Sequence, residues 1–180
     1  QDPYGNSSPA NNRDKTFLLK SGVKIYGGFS GTETLLNQRN WIVNTTILSG
    51  DLGTPNVLTD NAYHVVLSVN LNNTTLLDGV TITKGYGTAP GNSTINVGGR
   101  TIERYHGGGI FNSHSATSFS NCTVSFNSAP CTDTDNDAVG AGVNNFISTS
   151  TFTNCIIDNN SFLIGGASFG VFGAGMAING

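Results

Sequence analysis

An all-β fold built from stacked repeats is predicted by three features of this 180-residue sequence. The motif Gly107-Gly108-Gly109-Ile110 returns in similar form at 140–143 and at 173–176, each time after 33 residues. Phe119-Ser120-Asn121-Cys122 returns at 152–155 after the same step. The chain also holds 24 glycines and only 11% charged residues, against the roughly 25% usual in soluble domains. A fixed period of this length, filled with short β-type runs, is typical of a solenoid.

Ten strands are predicted, in chain order, from runs rich in β-branched and aromatic residues that lie between Gly, Asn, Asp and Ser. They cover residues 16–19, 23–26, 46–49, 64–69, 75–83, 108–112, 118–125, 141–146, 151–158 and 174–178. Longer insertions at residues 33–44, 88–104 and 130–139 are predicted to be loops outside the repeats, where long loops often carry function. Only residues 33–43 leave room for a turn of helix.

Stacked repeats place equivalent side chains in columns about 4.8 Å apart, alternately facing in and out. Leu77, Phe119 and Phe152 form one predicted inward column. Val80, Cys122 and Cys155 form another, and Ile82, Val124 and Ile157 a third. At the corners, amide ladders are predicted of Asn121 with Asn154 and of Asn127 with Asn160, because stacked amides can bond to one another and to turn backbone.

Charge and hydropathy exclude two classes of function. All eight Lys and Arg residues lie at or before Arg104, and the net charge is −3, so no basic stripe for nucleic acid is present. No run of 18 apolar residues exists that could span a membrane. The chain begins without a secretory leader, which is expected of a mature chain or of a piece of a longer one.

The phrase from Val23 to Thr34 resembles the opening of secreted right-handed parallel β-helix proteins of Bacteroidetes-type bacteria. Similar phrases follow in that family, here at 46–51, 64–66 and 77–82. The later glycine and Phe-Ser-Asn-Cys repeats resemble those of polymorphic outer-membrane proteins and related autotransporter adhesins. The resemblance implies a right-handed parallel β-helix of about five to six coils at a secreted or cell-surface location. It implies no catalytic residue.

The whole chain, residues 1–180, is interpreted as one β-helix domain. Residues 159–180 carry no charge and offer no polar cap for a last coil. Because an open strand edge can pair with another chain, we expect a fragment of a longer solenoid or a filament subunit. The expected partners are other copies of the chain or further coils of it, with a glycan or a host or cell surface as another candidate.

Asp133, Asp135 and Asp137 are the candidate metal ligands, because Ca²⁺ prefers closely spaced oxygen ligands. The glycine and the downstream glutamate of a calcium loop are missing, so a solvated acidic turn is the alternative. Ca²⁺ is the one cofactor for which the sequence offers candidate ligands.

Three cysteines do not make a disulfide framework. Cys122 and Cys155 are expected to be free thiols, since parallel stacking gives a poor disulfide geometry, while Cys131 is left either free or paired with a partner chain.

An enzyme is disfavoured, although parallel β-helices also house polysaccharide lyases and glycoside hydrolases. Asp51 and Asp78 are isolated corner candidates, with Lys84 expected near Asp78, and no carboxylates cluster on equivalent positions. Trp41, Tyr86 and Tyr105 are the candidate sugar-contacting rings. The sequence therefore predicts an extracellular structural or adhesive protein of the bacterial surface, with glycan binding or cleavage as the alternative.

Overall fold

The computed structural model describes residues 12–88, 93–130, 138–162 and 171–179. These residues form strands and almost no helix. The only helical segments among them are three short 3-10 helices, at Asn12–Asp14, Leu36–Gln38 and Leu58–Asp60. The strands are β1 (Phe17–Leu18), β2 (Lys24–Tyr26), β3 (Thr46–Ser49), β4 (Val66–Val69), β5 (Leu76–Asp78), β6 (Val80–Thr83), β7 (Thr94–Val97), β8 (Arg100–Glu103), β9 (Ile110–Ser113), β10 (Ser118–Ser120), β11 (Thr123–Ser125), β12 (Ala138–Val139), β13 (Val143–Phe146), β14 (Thr151–Thr153), β15 (Ile156–Asp158), β16 (Val171–Phe172) and β17 (Met176–Asn179).

Three stacked parallel sheets organise the chain. Sheet A has the order β1-β4-β9-β13-β17, sheet B the order β14-β10-β5-β2, and sheet C the order β15-β11-β6-β3. The chain visits A, then B, then C, four times, and returns to A at β17. We call each such passage a round. Strands β12 and β16 make a small additional parallel pair.

Between the later rounds, the strand register follows the 33-residue step of the sequence in all three sheets. Phe119 pairs with Phe152 in sheet B, Val124 with Ile157 in sheet C, and Val143 with both Ile110 and Met176 in sheet A. Consecutive rounds therefore place chemically similar residues next to one another, and this similarity is what the sequence repeat records.

In the second, third and fourth rounds, a left-handed residue follows each sheet and turns the chain toward the next one. After sheet A it is Asn70, His114 or Ile147, after sheet B it is Gly79, Asn121 or Asn154, and after sheet C it is Lys84, Phe126 or Asn159. All have φ between 48° and 73°. Asn and Gly tolerate this region, whereas β-branched Ile147 does so at a cost that its surroundings must offset.

The first and third glycines of the repeated motif have different causes. Gly107, Gly140 and Gly173 have φ of 57° to 63°, which favours glycine. Gly109 has no such need, but a Cβ there would lie 2.5 Å from the carbonyl oxygen of Gly142. The next round approaches too closely for any side chain at this position.

The interior between the three sheets is apolar. Fully buried side chains from all three sheets meet there, and partly buried ones from β14, β15 and β17 complete the cluster. The buried members are Leu19, Val65, Val66, Leu71, Leu77, Val80, Ile82, Ile110, Phe119, Cys122, Val124 and Val143.

Residues 93–104, the described part of the insertion at 88–104 after Thr88, are structured instead of the predicted loop. Within them β7 and β8 pair as an antiparallel hairpin that turns at Gly98 and Gly99. Its apolar side packs on the outer face of sheet A, where Leu67 and Phe111 are fully buried. Sheet A is thus covered on both faces, which explains why β4 and β9 are buried along their whole length.

The ten predicted strands all coincide with observed strands. Those predicted at 75–83, 118–125 and 151–158 are each two strands, because Gly79, Asn121 or Asn154 breaks them at the corner. The insertion at 33–44 contains the short helix Leu36–Gln38. Residues 131–137, the centre of the insertion at 130–139, lie outside the described residues.

Candidate functional site

A groove of about 600 Å³ crosses the corner between sheets B and C. Its floor repeats over three rounds, as Gly79-Val80-Thr81, Asn121-Cys122-Thr123 and Asn154-Cys155-Ile156. The insertion at 33–44 supplies its wall, with Trp41 and Ile42, and Thr45 follows. A long insertion therefore borders a regular, repeated surface, which makes this groove the candidate functional site.

An ion pair fixes the wall of the groove to its floor. Arg39 donates from Nη2 to Oδ1 of Asp78 at 2.7 Å and from Nη1 to the Gly27 carbonyl oxygen at 3.1 Å. The two charged side chains are only 8% and 10% exposed. Because a half-made pair would leave a buried charge unpaired, this contact holds the insertion in one place.

Gly79 provides the space for this contact. A Cβ at Gly79 would lie 2.6 Å from Nη1 of Arg39 and 3.0 Å from Cβ of Trp41. The Arg39 guanidinium carbon lies 4.8 Å from the Trp41 ring centroid and 5.2 Å from that of Tyr26. Arg39 is thus enclosed by two rings and a carboxylate, and Trp41 is held at the edge of the groove.

An amide ladder continues from the same carboxylate. Asn121 donates from Nδ2 to Oδ1 of Asp78 at 3.0 Å, and Asn154 donates from Nδ2 to Oδ1 of Asn121 at 3.1 Å. Gly79 occupies the ladder position in its own round, so Arg39 takes the place of a third amide. The structure thus brings the predicted ladder residues Asn121 and Asn154 together beside the groove.

The second ladder lies deeper. Asn127 is 1% exposed and accepts from the Gly85 N–H at 2.9 Å, while its Nδ2 donates to Oδ1 of Asn160 at 3.0 Å and to the carbonyl oxygen of Ile82 at 3.1 Å. Asn160 repeats the pattern one round later, with Nδ2 donating to the carbonyl oxygen of Val124 at 2.8 Å. These amides join three rounds at the corner after sheet C.

The column residues Phe119 and Phe152 stack face to face, with ring centroids 4.8 Å apart and planes 9° from parallel.

Cys122 and Cys155 are free thiols that border the groove floor. The interaction with Cys155, together with burial, raises the pKa of Cys122, whose Sγ donates to the Leu77 carbonyl oxygen at 3.4 Å. The interaction with Cys122 lowers the pKa of Cys155, which is partly exposed. Cys155 is therefore the more nucleophilic of the two.

The three candidate sugar-contacting rings have different surroundings. Trp41 is half-buried and borders the groove. Tyr105 is half-buried and contacts the His106 ring edge to face, with centroids 4.4 Å apart. Tyr86 is only 9% exposed and its ring centroid is 5.6 Å from the Arg13 guanidinium. Tyr86 thus packs in the protein. Of the three rings, Trp41 alone is among the residues that line the groove.

The acidic candidates are also separated. Lys84 pairs with Asp51 at 2.6 Å. The sequence suggested that Lys84 would lie near Asp78, but Asp78 is paired with Arg39. Asp133, Asp135 and Asp137 lie outside the described residues. Among the residues that are described, no three His, Cys, Asp or Glu side chains lie close enough to hold a metal ion.

A separate buried cluster surrounds His64. Arg104 makes two hydrogen bonds to the Asp14 carboxylate, at 2.7 and 2.6 Å, and Nδ1 of His64 lies 3.1 Å from the Gly107 carbonyl oxygen. Burial lowers the pKa of His64 to about 4, so the imidazole is neutral at pH 7. This cluster anchors the segment before β1 to the hairpin insertion.

Sequence reasoning missed Arg39 and Gly79, the two residues that position the groove wall. The signal was present in the repeat itself, since Gly79 stands where the next two rounds have an asparagine, at 121 and 154.

Comparison of the chain with families of known proteins, with curated proteins and with solved structures found no match. No helix in the described parts of the chain is long and apolar enough to cross a membrane.

Proposed function

We propose that this chain is a right-handed parallel β-helix that serves as a rigid structural or adhesive rod outside the bacterial cell or on its surface. The observation that supports the proposal best is the repeated passage through sheets A, B and C in one register. Each round adds one strand to every sheet, so rounds added along the axis lengthen the molecule without changing its cross-section.

The energetics suit such a role. Ladder hydrogen bonds and the apolar interior act in every round, and the amides of Asn127 and Asn160 join the later rounds at the corner after sheet C, so the rod resists local opening. The insertion at 33–44 and the hairpin at 94–103 lie outside the three sheets A, B and C, and insertions of this kind are where contacts with a partner are expected. The extracellular location is supported by the resemblance described above.

We further propose that copies stack end to end. Within the described residues, β14 and β15 have a strand neighbour on one side only, and Phe152, Cys155 and Ile157 are less buried than their partners one round earlier. Such edges pair readily with another strand. A contact between unlike ends does not close on itself and would produce a filament.

Negative-stain electron microscopy tests the proposal over a dilution series of the purified chain. Regular filaments at high concentration that shorten on dilution are the expected result. Ile156→Lys places a charge on the β15 edge and should shorten the filaments, whereas Val43→Lys, in the insertion and 74% exposed, should not. Short dispersed rods at every concentration would refute stacking but keep the rod, and compact or irregular particles would refute the β-helix itself.

A further inference from the structure

The thiols of Cys122 and Cys155 are the ionisable groups among the residues that line the groove beside Trp41. Its twelve lining residues include no Asp, Glu, Lys or Arg. Asp78, which accepts a hydrogen bond from the lining residue Asn121, is neutralised by Arg39. A charged ligand would find no counterion among these residues, so the groove is suited to a neutral one.

The floor nevertheless offers hydrogen-bonding groups. Thr81 and Thr123 are register partners on neighbouring strands, and both line the groove. Within the described part of the chain, neither hydroxyl makes a side-chain hydrogen bond, and Oδ1 of Asn154 also remains open. The groove therefore presents hydroxyl and amide groups in a row along the axis of stacking.

The wall supplies an aromatic surface that is already in place. The Trp41 backbone is packed against Gly28, where a Cβ would lie 2.7 Å from the Trp41 nitrogen, and the Asn40 N–H donates to the Gly28 carbonyl oxygen at 2.8 Å. Together with the Arg39 contacts, these interactions fix the ring before any ligand arrives. A pre-positioned ring reduces the entropy lost on binding.

We propose that this groove binds a neutral oligosaccharide, with Trp41 against an apolar face of a sugar ring and with Thr81, Thr123 and Asn154 bonded to its hydroxyls. A sugar combines an apolar C–H face with polar edges, which matches an aromatic wall above a hydroxyl-lined floor. Three rounds of floor span about 10 Å, since neighbouring strands lie about 4.8 Å apart. This length accommodates more than one sugar unit. The proposal rests on the adhesive part of the proposed function and names its ligand class.

Trp41 is the only tryptophan of the chain, so its fluorescence reports on this groove alone. The probes are neutral hexasaccharides of glucose, mannose, xylose and N-acetylglucosamine, with polygalacturonate as the acidic comparison. We expect a saturable change in Trp41 emission with at least one neutral probe and none with polygalacturonate. No change with any neutral probe up to ~10 mM, a concentration that would detect very weak binding, overturns the proposal.

Variants separate this groove from other surfaces. Thr123→Val keeps the side-chain shape and the reporter but removes one hydroxyl, and it should weaken binding about threefold. Trp41→Ala, measured by calorimetry, should weaken binding at least about tenfold. Phe126→Ala, at an aromatic residue that is 66% exposed and outside the groove, should leave affinity unchanged. Binding that Trp41→Ala and Thr123→Val both leave intact, or that Tyr105→Ala abolishes, overturns the assignment. If the groove does not bind an oligosaccharide, the electron-microscopy result and the proposed rod are unaffected.

Discussion

Arg39 donates to Asp78 at the position where the next two rounds carry an asparagine amide. The carboxylate thus accepts a guanidinium from the insertion and an amide from the round that follows. One buried residue connects the irregular part of the chain to the regular part, and the first prediction depends on this connection.

Arg39→Ala should destabilise the protein by about 3–5 kcal/mol, because it leaves the Asp78 carboxylate buried without its cation. Urea unfolding measures the loss, and Trp41 emission should shift to longer wavelength as the insertion detaches. Lys84→Ala is the matched control, since it breaks a pair of similar length in which Lys84 is 38% exposed. Equal losses in the two variants would contradict the assigned role of burial.

Asn127→Ala should destabilise the protein by about 3 kcal/mol, since it leaves the Gly85 N–H and the Ile82 carbonyl oxygen buried without a partner. Asn160→Ala removes the same ladder element one round later, where the side chain is partly exposed and water can replace it. We expect a clearly smaller loss for Asn160→Ala in thermal or urea unfolding. A larger loss for Asn160→Ala would show that depth in the stack does not set the cost.

Stability should fall in mild acid because of His64. Its pKa is lowered to about 4 by burial, while in the unfolded chain the imidazole takes up a proton below its ordinary value of 6.5. Between pH 6.5 and pH 4 the unfolded state therefore binds a proton that the folded state does not, and the free energy of unfolding decreases by up to about 3 kcal/mol.

His64→Leu should flatten this part of the pH profile of urea unfolding, even though it also loses the contact with the Gly107 carbonyl oxygen at every pH. The neighbours Asp14, Arg104 and His106 are kept, so their contributions remain in both profiles. His114→Asn is the control, because asparagine tolerates its φ of 51°. An unchanged slope in His64→Leu would assign the acid sensitivity to another group.

Cys155 should react with iodoacetamide faster than Cys122 in the folded protein, because its pKa is lowered by the interaction with Cys122 and it is partly exposed. Peptide-resolved mass spectrometry after timed alkylation at neutral pH measures both rates. Cys122→Ala removes that interaction and should slow the alkylation of Cys155. Equal rates for the two thiols, or faster alkylation of Cys155 in the variant, would contradict the pairing.

Much of the strand order could be predicted because the repeat is itself a record of the register. The step from Phe119 to Phe152 in the sequence is the step from one strand to its neighbour in sheet B. Corners were harder to predict. Asparagine at 121 and 154 indicates a left-handed turn, but Phe126 and Ile147 adopt the same conformation against their own preference, because the neighbouring rounds impose it.

The hairpin and the groove wall show what a single sequence leaves undetermined. Residues 94–97 alternate polar and apolar before Gly98-Gly99, which is a hairpin signal, yet the segment interrupts the repeat and for that reason reads as a loop in the sequence. The contact of Arg39 with Asp78 has no local signal at all. It depends on the path of the insertion in space, and 39 residues separate the two partners.

The common 33-residue step in the three sheets has a consequence for how such a gene can change in length. Removing residues 117–149 would join Ala116 to Ser150 and leave every later strand facing the neighbour it is suited to. Removing one residue fewer would shift the strands by a single position and turn their inward side chains outward. In this part of the chain, insertions and deletions are therefore expected to survive selection as whole units of 33 codons, or inside the insertions between strands.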